Sequence, residues 1–195
     1  MDYSKAQYVL NAHRLAQLPP DRGAEVAFAG RSNSGKSSAI NTITRQKGLA
    51  RTSKTPGRTQ HLVVFELDPD RRLIDLPGFG YAKVPDSVRR HWNATLDDYF
   101  RTRESLRGLV LIMDVRHPLK PFDVSMLDWC RQANLPCQVL LSKADKLKRG
   151  PAGTTLLEVS GKPETSGWDC QVQLFSAPKH QGVDEVRARL DAWLD

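Results

Sequence analysis

The chain has 195 residues, of which 39% are hydrophobic and 26% charged, so it is long enough for one globular domain with its own core. Three cysteines without metal-site spacing argue against a disulfide framework, and the apolar runs are far shorter than the ~18 residues of a transmembrane helix. The net charge of +7 is compatible with an ordinary basic surface or with a polyanionic partner such as nucleic acid. The N-terminal residues lack a signal-peptide core, so we expect a cytoplasmic protein without stable membrane association.

The first 23 residues are predicted to lead into the core. Residues 8–10 are apolar and Pro19-Pro20 interrupts the stretch, so an edge segment or a short helix is expected before the first core strand. No internal repeat or second domain is evident further along. The sequence therefore divides into a lead-in, residues 1–23, and a single domain, residues 24–195.

The next segment matches a phosphate-binding loop. A strand-like run is followed by G-x-x-x-x-G-K-S and then by residues that can continue as a helix. In this pattern backbone N–H groups surround phosphate oxygens, the lysine reaches the β- and γ-phosphates, and the serine hydroxyl binds Mg²⁺. The alternative is an ordinary surface loop rich in Gly and Ser. The predicted phosphate-binding residues are Gly30, Arg31, Ser32, Asn33, Ser34, Gly35, Lys36, Ser37 and Ser38.

Strands and helices alternate over the rest of the chain. A basic loop at 46–60 lacks apolar periodicity and is longer than a plain connection usually is. A hairpin follows, because Asp68-Pro69-Asp70 separates two strand-like runs. The further predicted elements are helix 86–104, strand 109–113, helix 122–134, strand 137–141, a short helix within 150–169, strand 172–175 and a closing helix from 183. This order predicts an α/β fold with helices on both faces of a mostly parallel sheet and ligands at the carboxyl ends of the strands.

Two candidate motifs would bind the triphosphate and its metal. Thr59, in the basic loop, is the best candidate for a threonine that completes a Mg²⁺ shell and senses the γ-phosphate. Asp75-Leu76-Pro77-Gly78 places a carboxylate at a strand end, where it holds Mg²⁺ through water, and a glycine whose N–H can approach the γ-phosphate. Short patterns of Asp and Gly also occur in ordinary turns. The assignment of this motif therefore also depends on the predicted strand that precedes it.

Ser142-Lys143-Ala144-Asp145 indicates which base is bound. The carboxylate of Asp145 can accept from both the ring N1–H and the exocyclic amino group of guanine, with Lys143 along the base plane. Adenine has an acceptor at N1 and no amino group at C2, so it would leave this carboxylate unpaired. Ser176-Ala177, after the last strand, is compatible with a backbone contact to the base carbonyl. The alternative is a polar turn without a ligand.

These motifs closely resemble the EngB (YihA/YsxC) GTPases. The resemblance runs from about residue 6 to the C-terminus and rests on residues 30–38, 55–60, 75–82 and 143–147, with 113–118 and 181–184 also similar. It implies a three-layer Ras-like P-loop fold with a six-stranded sheet and one antiparallel edge strand. It also implies Mg²⁺-dependent GTP binding and hydrolysis, a role in late assembly of the large ribosomal subunit, and a link to cell division.

The resemblance also assigns further site residues. It implies GTP contacts from Pro56, Gly57, Arg58 and Phe175, in addition to the motifs above, and Mg²⁺ ligation by Ser37 and Thr59, with Asp75 acting through water. Ser142 stands where the family usually has Thr, and Ala177-Pro178 where Ser-Leu is common, and both changes should leave the base contacts intact.

Phe79 departs from the usual arrangement for hydrolysis. In Ras-like GTPases the residue after the D-x-x-G glycine is the glutamine that orients the attacking water. Phenylalanine cannot bind water in this way, so intrinsic hydrolysis should be slow and no catalytic residue is assigned. One hypothesis is that Asn33 holds a K⁺ ion near the phosphates, and the alternative is that Asn33 only braces the loop. A second hypothesis is that the ribosomal precursor completes the site.

Basic residues crowd the loop that GTP should order: Lys47, Arg51, Lys54 and Arg58. Because a loop ordered by the γ-phosphate is a two-state element, we expect this face to contact rRNA in a nucleotide-dependent and salt-dependent manner. A further set of arginines either extends the same face or forms solvated surfaces of the hairpin and helix: Arg72, Arg89, Arg90, Arg101 and Arg103.

The sequence thus predicts a monomeric GTP-binding and GTP-hydrolysing switch. Its expected partners are GTP and GDP, Mg²⁺, the large-subunit precursor and rRNA. One alternative is a slow or non-hydrolysing module that binds RNA or protein according to its guanine nucleotide, and Phe79 is the residue that supports this alternative. The other alternative is an ATP-dependent P-loop enzyme such as a small-molecule kinase, although no acceptor site or lid is evident in the sequence.

Overall fold

One mixed sheet is the centre of the computed structural model, which describes residues 1–51, 61–78 and 86–195, with side chains of the last range described from residue 90. The described residues form seven strands: β1 (Gln7–Ala12), β2 (Ala24–Gly30), β3 (Leu62–Asp68), β4 (Arg71–Asp75), β5 (Leu106–Asp114), β6 (Cys137–Ser142) and β7 (Cys170–Leu174). They lie in the order β1-β3-β4-β2-β5-β6-β7. From β4 to β7 all neighbouring pairs are parallel, so the carboxyl ends of five strands meet at one edge.

This topology confirms the predicted α/β fold and corrects two of its details. The described residues contain seven strands instead of six, because the lead-in forms β1. The antiparallel strand is β3, which lies between β1 and β4 instead of at the edge. Most of β1 is exposed, and its register shifts between Tyr8 and Leu10. It therefore lacks the apolar alternation by which a strand is predicted.

In the described part of the chain, five α-helices pack on the two faces of the sheet, close to their predicted positions: α1 (Lys36–Ile43), α2 (Asp86–Thr102), α3 (Pro121–Gln132), α4 (Arg149–Ser160) and α5 (Val183–Leu194). The side chains of β2 show how the layers divide, because alternate residues of a strand point to opposite faces. Val26 and Phe28 pack with α1 and α5, whereas Ala27 and Ala29 pack with α2 and α3. None of the described helices is long and apolar enough to cross a membrane.

A buried ionic cluster closes the amino end of the sheet. Glu25 is fully buried, and its carboxylate accepts from Arg103 Nε at 3.2 Å and from the Tyr99 hydroxyl at 3.3 Å, with Arg72 Nη1 at 3.6 Å. Burial, followed by the charge of Glu25, raises the pKa of the Tyr99 phenol well above its usual range. Arg103 also donates to the carbonyl of Pro19 at 2.8 Å, which ties the lead-in to the core. Both predicted placements of Arg72 and Arg103, on the basic face or on solvated surfaces of the hairpin and helix, are therefore wrong.

Candidate functional site

The phosphate-loop residues lie between β2 and α1, at the carboxyl edge of the sheet. β2 ends at Gly30, where a Cβ would lie 2.8 Å from the carbonyl oxygen of Ile112, so only glycine fits this close approach. Gly35 has φ +96, which glycine adopts without strain, and α1 begins at the next residue, Lys36. The strand, turn and helix predicted around this motif are thus present in the structure.

A cavity of about 1110 Å³ opens against this loop. Its volume is slightly above the usual range for small-molecule sites, ~300–1,000 Å³. It brings together ten of the predicted nucleotide-binding residues: Arg31, Ser32, Asn33, Gly35, Lys36, Ser37, Ser38, Asp75, Gly78 and Lys143. Arg51, from the basic loop, also lines it, and the hydroxyl of Ser37 donates to the Arg51 carbonyl at 3.3 Å.

Lys36 and Asp75 form an ion pair on the cavity wall. Lys36 Nζ contacts Asp75 Oδ1 and also donates to the carbonyl of Leu76 at 2.7 Å. Burial raises the pKa of the Asp75 carboxyl, while the charge and hydrogen bond of Lys36 act in the opposite direction. The two side chains predicted to bind a phosphate and a metal ion are therefore within reach of each other.

Ser142 and Lys143 connect the end of β6 to the phosphate loop. The Ser142 hydroxyl lies within hydrogen-bond distance of the Ser34 carbonyl and, at 3.0 Å, of the Met113 carbonyl. Lys143 has φ 58, and its Nζ donates to the Asn33 carbonyl at 2.5 Å. These bonds hold the predicted base-binding segment against the phosphate loop.

Asp145, Phe175, Ser176 and Ala177 form an adjoining group that does not line the described cavity wall. Asp145 Oδ1 accepts from the Ser176 hydroxyl at 2.7 Å, and the N–H of Ala144 donates to the Phe175 carbonyl at 3.1 Å. The Ser176 hydrogen bond is the main cause of the lowered pKa of the Asp145 carboxyl. Asp145 is therefore an ionised carboxylate with a defined orientation.

Several predicted site residues fall outside the described part of the chain. They are Pro56, Gly57, Arg58, Thr59 and Phe79. The Mg²⁺-binding threonine and the missing water-orienting group therefore stay predictions. The K⁺ hypothesis also stays a prediction, although Asn33 itself is described and lines the cavity. Leu76 and Pro77 are described and follow β4 directly, next to Gly78.

Sequence reasoning did not assign a role to Asp114 and Arg116, which join the base-binding segment. Asp114 ends β5 and accepts from Lys143 Nζ at 3.0 Å and from Arg116 Nη2 at 2.7 Å. Burial acts to raise the pKa of the Asp114 carboxyl, but hydrogen bonds from Arg116 and Lys143 hold it well below the usual range. The available signal was its position, one carboxylate at the end of a central strand, as for Asp75.

Comparisons with known proteins agree with this geometry. Residues 25–143 match the model of a family described as 50S ribosome-binding GTPase. The probable GTP-binding protein EngB of Xanthomonas euvesicatoria is 58% identical over 192 residues, which cover 97% of this chain and 92% of that protein. Its counterpart in Stenotrophomonas maltophilia is 55% identical over 191 residues, covering 97% and 96%. A crystal structure of a probable GTP-binding protein EngB superposes with a TM-score of 0.70 at 25% identity, covering 88% of this chain and 98% of that one.

Proposed function

The chain belongs to the EngB family of GTP-binding proteins, and from this premise we propose that it is a switch acting in late assembly of the large ribosomal subunit. Its membership of the P-loop GTPases follows from the family. The ribosomal role is supported by the description of the matching family model and by the net charge of +7. We further propose that it acts as a cytoplasmic monomer and that normal cell division depends on it.

The observation that carries the base assignment is the oriented carboxylate of Asp145. One of its oxygens accepts from Ser176 at 2.7 Å, and its lowered pKa keeps it ionised at neutral pH. An ionised carboxylate can accept from the two adjacent donors of guanine, whereas adenine presents an acceptor in the same position. Because an unpaired buried charge is costly, the site should select guanine strongly over adenine.

The phosphate end of the proposed site has the donor set that Mg²⁺–GTP requires. Ser37 and Asp75 supply hydroxyl and carboxylate oxygens, the ligand types that Mg²⁺ prefers, and both line the cavity. When bound, Mg²⁺ would neutralise charge on the β- and γ-phosphates. Lys36 would turn from Asp75 to a phosphate oxygen, which frees the carboxylate to face the metal ion through water. Thr59 completes this proposed ligand set.

Hydrolysis in this proposal needs a group that Phe79 does not provide. Phenylalanine has no hydrogen-bonding atom to orient the attacking water. We propose that turnover is slow until the ribosomal precursor completes the site, or that Asn33 contributes through a bound K⁺. Equal turnover in Na⁺ and K⁺ buffers would exclude the K⁺ route, and turnover unchanged by added large subunits would exclude the other.

The proposed rRNA-binding face is smaller than the sequence suggested. Lys47 and Arg51 are exposed, and Arg51 lines the cavity, which supports their availability to a polyanion. Arg72 and Arg103 instead belong to the internal cluster of Glu25. The face that would respond to nucleotide is therefore centred on the basic loop.

Co-sedimentation with large ribosomal subunits tests the proposal directly. The protein is titrated with salt in the presence of GTP, GDP or no nucleotide. We expect the tightest binding with GTP and a steep loss of affinity between 50 and 200 mM salt, on the order of tenfold or more for a few phosphate contacts. Binding that is the same in all three nucleotide states would contradict the switch.

A second candidate function is a guanine-nucleotide-dependent binding module that does not hydrolyse GTP at a useful rate. The residue that favours it is Phe79. Single-turnover GTP hydrolysis with and without large subunits separates it from the switch, because only the switch should be accelerated. Competition between GTP and ATP separates both from an ATP-dependent enzyme.

A further inference from the structure

A pair of cations lies close to the carboxylate that would read the base. Arg116 and Lys143 both contact Asp114, while Asp145 lies two residues beyond Lys143. We propose that Asp114 is a positioning residue for guanine recognition, because it engages Arg116 and Lys143 and so keeps Asp145 available to the base. This inference rests on the guanine site proposed above.

The hydrogen bonds of Asp114 use both of its oxygens. Oδ1 accepts from the Arg116 backbone N–H at 3.0 Å and from Arg116 Nε at 2.9 Å. Oδ2 accepts from Arg116 Nη2 at 2.7 Å and from Lys143 Nζ at 3.0 Å. This arrangement combines a two-pronged arginine–carboxylate pair with a lysine contact, which are among the strongest polar contacts in proteins. Asp114 therefore engages both cations at once.

In this proposal Asp145 is the alternative partner for Arg116. Hydrogen bonding to Asp114 is the main cause of the raised pKa of the Arg116 guanidinium, and the charge of Asp145 contributes in the same direction. The two groups also lie beyond neighbouring strand ends, because Asp114 pairs with Ser142 in the register of β5 and β6, Arg116 is two residues beyond Asp114, and Asp145 is three residues beyond Ser142. Apart from Ser176, the ion-pair partner of Asp145 among the described residues is the exposed Lys146, at 3.6 Å. The Asp145 side chain is only half-buried, so a freed guanidinium could reach its carboxylate.

Competition for Asp145 would weaken guanine binding. The two donors of guanine and the fork of a guanidinium fit the same pair of carboxylate oxygens. If Asp114 were removed, Arg116 could pair with Asp145, and guanine would first have to displace it. The strand register supports the proposed pairing of Asp114 with Lys143. Asp114 of β5 pairs with Ser142 of β6, which places Asp114 beside Lys143.

The simplest alternative is that Asp114 only braces the turn after β5. Its carbonyl accepts from the N–H of His117 at 2.9 Å, and its side chain accepts from the N–H of Arg116. Asp114→Ala should weaken nucleotide binding whether Asp114 braces the turn or positions the cations. The two hypotheses differ in the nucleotide binding that they predict when Arg116 is removed as well.

The test measures the dissociation rate of fluorescent GDP from the full chain and three variants: Asp114→Ala, Arg116→Ala and the double variant. We expect Asp114→Ala to release GDP about tenfold faster, since about one charged hydrogen bond to the base is lost. Arg116→Ala alone should change the rate less than about threefold. In the double variant, release should slow again by at least about threefold relative to Asp114→Ala, because the freed guanidinium is gone while Lys143 keeps its hydrogen bond to the Asn33 carbonyl. A double variant that releases GDP as fast as Asp114→Ala, or faster, would overturn the proposal.

Base selectivity gives a second readout that a brace would not affect. Inosine diphosphate lacks the exocyclic amino group, so it makes one contact fewer to Asp145. We expect the preference for GDP over inosine diphosphate to shrink several-fold in Asp114→Ala, because Asp145 is partly occupied. An unchanged preference would favour the brace. If Asp114→Ala does not fold, Asp114→Asn keeps the size of the side chain and should shift both readouts in the same direction.

The controls separate this inference from the function it rests on. The double variant Asp128→Ala/Arg131→Ala removes one exposed acid and one exposed base on α3, and should leave GDP release unchanged. Asp145→Ala should abolish the preference for GDP over ADP. If the unaltered chain shows no such preference, the proposed guanine site is wrong. If the preference depends on Asp145 while Asp114→Ala has no effect, only the inference about Asp114 fails.

Discussion

Glu25 and Asp75 are buried carboxylates at opposite ends of the sheet, and their partners differ. Glu25 is 0% exposed at the start of β2 and is surrounded by Arg72, Arg103 and Tyr99, all supplied by the fold. Asp75 is 8% exposed at the end of β4, on a cavity wall, and its ion-pair partner among the described residues is Lys36. A carboxylate with several internal partners stabilises the fold, whereas one with a single partner beside a cavity can exchange that partner for a ligand.

Loss of Glu25 should have the largest effect on stability. We expect Glu25→Gln to lower the free energy of unfolding by about 3–5 kcal/mol, since it leaves two guanidinium groups without their buried counter-charge. Urea denaturation measures this, and the fraction that remains folded should bind GDP normally. If Glu25→Gln does not fold, Arg103→Lys can be measured instead. This variant keeps the charge but loses the planar, two-pronged guanidinium, so it should lower the free energy of unfolding by a smaller amount. A change below about 1 kcal/mol would contradict the structural role of the cluster.

Loss of Asp75 should affect the ligand more than the fold. We expect Asp75→Asn to lower the free energy of unfolding by about 1–2 kcal/mol, because Lys36 keeps the Leu76 carbonyl as an acceptor and faces the cavity. Mg²⁺-dependent GTP binding should weaken at least about tenfold, as measured by titration with and without the metal. If Asp75→Asn were as unstable as Glu25→Gln and bound GTP normally, Asp75 would be a structural carboxylate like Glu25, which would contradict the comparison.

Asp123 extends the comparison to a buried carboxylate without an ion pair among the described residues. It is 1% exposed, accepts from the Lys120 N–H at 2.9 Å, and its pKa is raised to about 6 mainly by burial. Because the folded state binds this proton more tightly than the unfolded state, stability should fall as pH rises from about 4 to about 6. We expect Asp123→Asn to stabilise the protein by about 2 kcal/mol at pH 8 and to have little effect at pH 4. Thermal melts across this range measure it, and a stabilisation that does not depend on pH would refute the assignment.

The exposed ion pair of Asp97 and Arg101 on α2 should contribute least to stability among these carboxylates. Its atoms are 3.3 Å apart at an i,i+4 spacing, and the Arg101 side chain is largely exposed. Such pairs contribute ~0.3–0.5 kcal/mol, so Asp97→Ala should change the unfolding free energy by about this amount and lose the effect in high salt. If Asp97→Ala lowered the free energy of unfolding as much as Glu25→Gln, burial would not explain why these carboxylates differ in their contribution to stability.

Local patterns account for what could be predicted. The phosphate loop is recognisable because its strand, glycines, lysine and helix are adjacent in the chain, and the amphipathic helix at 86–102 shows a 3.6-residue period. The stretch that forms β1 was predicted only as an edge segment or a short helix, and it lies at the edge of the sheet. Its residues are mostly exposed and its register is interrupted, so the sequence pattern did not specify a strand. Arg72 and Arg103 were predicted to lie on the surface in both readings because arginine is usually exposed, and the partner that buries them, Glu25, is distant in sequence.

The sequence by itself determined the α/β fold class, the strand–loop–helix segment of the phosphate-binding motif and the order of the motifs, and it carries the prediction that Asp145 reads the base. These depend on short segments whose spacing and periodicity are local. Only the tertiary structure decided which charges meet: Glu25 with Arg72 and Arg103, Lys36 with Asp75, and Asp114 with both Lys143 and Arg116. The reason is that ion pairs between distant residues depend on strand order and register, and a shift of one residue turns each side chain to the opposite face.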